Sequence, residues 1–219
     1  MLARLSHTRL LRYAGLFTWA MACLPLLYSW IGQWRDPLPD DAVAHVMPWQ
    51  GWACYLAFGA GYWWLTRGLG QRRQALDYIL LAITTLAAIG LGFYSESGLG
   101  SVLLMVAACV LPWLLPLQLG VVWLVGAQLA VVPVFMLGLK FPLFEALMQS
   151  MLYAGISGFV FITSLVALQQ SEAREEQRRL NAELRATRAL LTESARVNER
   201  TRISRELHDL LGHHLTALS

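Results

Sequence analysis

The sequence predicts an all-α membrane protein: a six-helix transmembrane bundle followed by a long cytoplasmic coiled-coil helix. Three observations predict it. The 219 residues are 57% hydrophobic with a mean hydropathy of +0.49, whereas a soluble domain is about 45–50% apolar. Between residues 13 and 168, apolar runs of bilayer-crossing length follow one another. After residue 170 the composition changes: residues 1–170 hold eight Lys/Arg and six Asp/Glu, whereas residues 171–219 hold nine Arg and eight acidic residues.

A crossing helix needs about 20 mainly apolar residues. The runs that meet this are roughly 13–32, 48–66, 75–94, 101–117, 119–139 and 146–168. The acidic stretch Gln33–Met47, with Arg35, Asp36, Asp40 and Asp41, separates the first two. Arg67–Arg73 separates the second from the third, and Ser95–Gly100 the third from the fourth. From Val102 to Leu139 only Pro112, Pro116 and Gly120 interrupt one apolar run. As a single helix it would be about 57 Å long, too long for one crossing of about 30 Å. A helical hairpin at Pro116–Gly120 is therefore expected. With six crossings and the N-terminus inside, the basic segments (N-terminus, 67–73 and the region after 170) all fall on the cytoplasmic side. Trp30, Trp34, Trp49, Trp63 and Trp64 lie near span ends, as interfacial anchors do.

Arg4, Arg9 and Arg12 precede the first run, but Cys23–Pro25 is no small-residue cleavage site, so the run reads as an uncleaved span. Cys23, Cys54 and Cys109 lie singly in apolar runs and read as packing residues, not a disulfide framework or metal site. Asp77 sits at the start of the third span near Arg72 and Arg73, an interfacial position. Gln128, mid-span, suits a hydrogen bond between helices. Pro25, Pro112 and Pro133 are potential kink sites. His45, in an outer loop, reads as a solvated side chain. The net charge of +3 and the mixing of bases with acids exclude a nucleic-acid stripe.

From Leu165 to Ser219 there is no proline and one glycine, Gly212, amid Ala, Glu, Arg, Leu and Gln. These are good helix formers, so one helix is expected to leave the membrane and extend about 75 Å. Ala173, Gln177, Leu180, Leu184, Thr187, Leu191, Ser194 and Asn198 repeat at 4-3 spacing, the pattern of a parallel coiled coil with a polar end. A second stripe, Ile203, Leu207, Leu210, His214 and Ala217, is out of phase with the first by about two residues, which predicts over- or underwinding between Asn198 and Ile203.

His208 and Asp209 follow each other on this helix, within Glu199-Arg-Thr-Arg-Ile-Ser-Arg-Glu-Leu-His-Asp-Leu-Leu-Gly-His-His-Leu-Thr-Ala-Leu-Ser219. Imidazole is nucleophilic near neutral pH because its pKa is about 6.5. A carboxylate that holds one ring N–H leaves the other nitrogen free to attack. The segment resembles the H-box of sensor histidine kinases of two-component systems, and more narrowly that of DesK-like and nitrate-sensor kinases. The resemblance covers 199–219 and implies a phosphoacceptor, His208, with Asp209 as its orienting base. It also implies that His213, one turn beyond Asp209, positions water for dephosphorylation of the partner regulator. His214 falls in the second stripe and reads as structural. Arg202 and Arg205 suit either a phosphate or a solvated face.

The resemblance divides the chain into a transmembrane sensor (1–168), a signalling coiled coil (169–198) and the start of a dimerisation and phosphoacceptor domain (199–219). It implies a homodimer, a cytoplasmic response regulator as partner, a bacterial inner-membrane location with both termini cytoplasmic, and ATP with Mg2+ used by the full-length kinase. No asparagine-bearing helix or glycine-rich nucleotide box occurs in the sequence. The chain is therefore expected to be part of a longer kinase, unable to autophosphorylate alone. A non-catalytic dimerising receptor and a small transporter are the competing classes; the transporter lacks paired intramembrane charges. The outer loops, roughly 5–15 residues, are too short for a folded sensor domain, so the stimulus is expected within or beside the bilayer.

Overall fold

The computed structural model describes the backbone of residues 7–35, 47–69 and 75–217 and the side chains of 9–31, 47–69 and 75–203. The described residues are helical, without strands. In order, the helices are α1 (His7–Arg35), α2 (Trp49–Arg67), α3 (Ala75–Tyr94), α4 (Leu99–Ala108), α5 (Leu111–Leu114), α6 (Leu117–Leu137) and α7 (Leu143–Ala217). The chain divides into two compact units, residues 1–169 and 170–219.

Among the described residues four helices, not six, are long and apolar enough to cross a membrane: those at Arg9–Ile31, Ala75–Tyr94, Leu117–Leu137 and within Leu143–Ile203. The expected second and fourth spans fall short for different reasons. Helix α2 has the length, but its surface is carried by four tryptophans and two tyrosines and diluted by three glycines. Eight of its residues, among them Tyr55, Phe58, Tyr62 and Leu65, are buried against protein. The expected fourth span is broken. Helix α4 has 10 residues, about 15 Å, and the chain turns at Cys109–Val110 before the single turn of α5, which begins at Leu111 with Pro112. Backbone N–H groups of Cys109 and Val110 reach only three residues back, to Val106 and Ala107, the tightening typical of a helix end. With four crossings, the basic 67–73 loop falls on the side opposite the basic ends. The charge bias and the hydropathy count therefore disagree at that loop.

The break expected at Pro116–Gly120 occurs at its first residue. Leu115 is extended, Pro116 caps α6, and Gly120 lies inside α6. Gly120 leaves room for the Phe161 ring, about 3.1 Å from where a Cβ would stand. Helices α1 and α6 both continue through their prolines, Pro25 and Pro133.

The core of the first unit is built on α3. Helices α2 and α4 pack on it, α1 lies against α2, and α6 lies against α3. Glycines set the closest approach. A Cβ on Gly100 of α4 would run into Ala88 O and the Gly92 backbone of α3. A Cβ on Gly59 of α2 would strike the Trp19 ring of α1, 2.5 Å away. Polar aromatic groups lock α1 to α2. Trp19 Nε1 donates to Tyr55 O (2.9 Å), Tyr55 Oη donates to Trp19 O (2.7 Å), and the rings stack at 4.8 Å. Such internal pairing is obligatory where water is absent.

Candidate functional site

Every side chain from Glu172 to Ile203 on α7 is exposed. The sequence makes the helix locally. Alanine, leucine, arginine and glutamate dominate, and threonines return their hydroxyls to the preceding turn: Thr187 to Glu183 O, Thr192 to Arg188 O and Thr201 to Val197 O, each 2.9 Å. Arg179 meets Glu183 at 3.4 Å, and Arg202 meets Glu199 at 2.8 Å. Exposed pairs of this kind stabilise a helix by about 0.3–0.5 kcal/mol. Leu180, Leu184 and Leu191 of the 4-3 stripe stand exposed. A surface so charged, with a narrow leucine line, fits a coiled coil.

Between Asn198 and Ile203, where the two stripes change phase, α7 remains α-helical. The helix is thus unbroken where the change of winding is expected. Arg202 donates one guanidinium N–H to Glu199 (2.8 Å) and stays exposed.

His208, Asp209 and His213 lie on the α-helical backbone of α7, as does His214. Their side chains, and that of Arg205, fall outside the described residues. Asp209 and His213 are one turn apart, and consecutive His208 and Asp209 diverge by about 100° around the axis. Among the described residues no group of three or more His, Cys, Asp or Glu side chains could hold a metal ion. His45 lies outside the described residues, as do Arg72 and Arg73.

Inside the first unit α7 carries a polar face that sequence reasoning missed. Ser150, Ser157 and Ser164, seven residues apart, are all buried. Ser150 Oγ donates to Gln128 O (2.9 Å), and Ser157 Oγ accepts from Gln128 Nε2 (2.9 Å). Ser164 Oγ donates to Cys109 O (2.5 Å) and accepts from Trp113 Nε1 (3.1 Å). Gln128 thus does join helices, as its mid-span position suggested. Its Oε1, however, is buried without a hydrogen-bond partner. Gln128 and Ser157 share a small cavity with Thr85 and Trp123, which are themselves joined by Trp123 Nε1 donating to Thr85 Oγ1 at 3.2 Å. The serine period of seven was the available signal, readable only with α7 known to be one helix. Asp77 sits in the first turn of α3, where a carboxylate faces the positive end of the helix dipole.

Residues 199–219 match the histidine kinase family model. The match is confined to this segment, which contains His208, Asp209 and His213. No curated protein and no solved structure matches the chain. The segment that matches this family therefore stands on a helix that begins inside an apolar unit.

Proposed function

We propose that this chain is the membrane-sensing and acceptor-presenting part of a two-component sensor histidine kinase, with an H-box that resembles the DesK-like and nitrate-sensor branch. The observation that carries the reading is the histidine kinase segment lying on α7, which starts among the bundle helices. His208 is the phosphoacceptor. One ring nitrogen forms a bond to the γ-phosphorus of ATP as the bridging P–O bond breaks and ADP leaves. Asp209 holds the other ring N–H and fixes the tautomer. His213 positions water when the kinase dephosphorylates its partner. A cytoplasmic response regulator receives the phosphoryl group from His208.

On this reading, ATP and Mg2+ are used by the nucleotide-binding domain of a full-length kinase. The chain works as a homodimer in a bacterial cytoplasmic membrane. An even number of crossings returns it to the side where it began, with both termini cytoplasmic. The hydrogen bonds of Ser150, Ser157 and Ser164 tie α7 to the helices it packs on, so any repacking around Gln128 displaces α7. Such a displacement reaches His208 through an unbroken helix. The test uses the full-length protein in membranes with radiolabelled ATP. Wild type acquires acid-labile, base-stable phosphate, and His208→Gln loses it to background. Retained phosphohistidine in His208→Gln would overturn the assignment. No labelling of either protein would favour a non-catalytic receptor.

A further inference from the structure

We infer that the start of α1 and the last turn of α2 form a site for the phosphate of an anionic phospholipid, with Arg12 at its centre. The inference rests on the membrane reading above and not on kinase activity.

Helices α1 and α2 run antiparallel at this end. Tyr62 Oη donates to Leu11 O (3.1 Å), and one residue further on Arg12 Nη2 donates to Thr66 O (2.7 Å). The basic ends of the two helices therefore lie together. Arg9, one turn before Arg12, and Arg67, next to Thr66, are both exposed.

Arg12 itself is half-buried and poorly compensated. Its guanidinium stands over the Trp63 ring, 5.6 Å from the centroid. Its Nε is buried without a hydrogen-bond partner. Of its donors only the one on Nη2 has a partner among the described residues, and among them no carboxylate pairs with it. The C-terminal end of α2 offers about half a negative charge. A partly desolvated cation is costly until an anion meets it. The guanidinium fork matches the geometry of a phosphate, and Arg9 and Arg67 add positive charge around it.

Two observations select a lipid over a free anion. Arg12 lies near the start of the candidate span Arg9–Ile31, which is headgroup depth for a crossing helix. Tyr13 and Phe17 on α1 and Trp63 on α2 are exposed, and they give an acyl chain an apolar surface beside the cation. The N-terminal end is cytoplasmic on the reading above, and that leaflet is the one rich in anionic lipid.

The test is native mass spectrometry of the full-length protein, purified in detergent and supplied with dioleoyl phosphatidylglycerol or dioleoyl phosphatidylcholine. Wild type is expected to retain phosphatidylglycerol several-fold better than phosphatidylcholine. Arg12→Gln should lose that preference, whereas Arg179→Gln, which removes the same charge from the tail, should keep it. If Arg12→Gln does not fold, the double variant Arg9→Gln/Arg67→Gln, changed at exposed positions, should still weaken retention several-fold. Equal retention of the two lipids by wild type would overturn the site, as would an undiminished preference in the variants of Arg12 or of Arg9 and Arg67. Phosphatidylglycerol should raise the thermal midpoint and inorganic phosphate should not; an equal rise with phosphate would overturn the lipid in favour of a free anion. A full-length protein that stays in solution without detergent would overturn the membrane reading itself, and the site with it.

Discussion

Between residues 146 and 164 helix α7 hides a serine at every seventh position; between 172 and 203 it exposes every side chain. The first stretch is fixed by its own chain. In the absence of water each buried hydroxyl must find a protein partner, and Ser150, Ser157 and Ser164 find Gln128, Cys109 and Trp113. The second stretch has its backbone ladder, returned threonine hydroxyls and weak surface pairs. Its leucines gain nothing from the chain that carries them. Packing order in the membrane stretch is intrinsic; on the proposed homodimer reading, that of the tail comes from a second chain.

The contrast breaks most visibly at Gly100. Gly100→Leu forces a side chain into the α3 backbone at Ala88 and Gly92, which cannot move aside as a side chain would. A loss of about 3 kcal/mol is expected, seen as a lower thermal midpoint of the purified protein in detergent. Gly68→Ala, where a Cβ meets nothing within 4 Å, should leave the midpoint in place. An unchanged midpoint in Gly100→Leu would mean that α3 and α4 do not approach as described.

The tail should respond in the opposite sense. Leu184→Asp removes an apolar contact worth about 2 kcal/mol if buried between chains. It should lower dimer formation in cross-linking while leaving the thermal midpoint of the membrane unit unchanged. A drop in that midpoint would show that Leu184 is packed within its own chain.

A smaller change is expected at Ser157→Ala. It leaves Gln128 without a partner at either amide atom, since Oε1 already lacks one. Interhelical hydrogen bonds in membranes are worth about 0.6 kcal/mol on average and up to about 1.7. The midpoint should fall modestly, and kinase output should shift because α7 loses one of its ties. The smallest effect is expected at Arg179→Ala, which breaks an exposed pair with Glu183 worth less than about 0.5 kcal/mol. Helicity by circular dichroism should be unchanged within error.

Much of this was legible in the sequence. The uninterrupted α7, the break near Pro116 and the place of Gln128 between helices follow from helix propensity, proline chemistry and the cost of a lone amide in lipid. The break at Cys109–Val110 was not legible, because Val106–Leu111 is uniformly apolar and only the turn itself distinguishes it. Helix α2 misled because aromatic residues satisfy a spanning pattern while supplying packing and hydrogen bonds instead of lipid-facing aliphatic surface. The serine face of α7 was missed because single serines in an apolar run look incidental until their partners on α5, α6 and the Cys109 turn are known. His208, Asp209 and His213 came from residue pattern alone. The structure adds that they ride on the same helix as Ser150, Ser157 and Ser164.

The central claim is that α7 carries a signal to His208 through its register. Insertions after Arg188 in the full-length kinase test it most directly, with autophosphorylation in membranes as the readout. Seven inserted residues restore the 4-3 phase and should preserve stimulus-dependent output, whereas three or four shift the seam and should lock the kinase on or off. Equal output from all of these insertions would contradict the account.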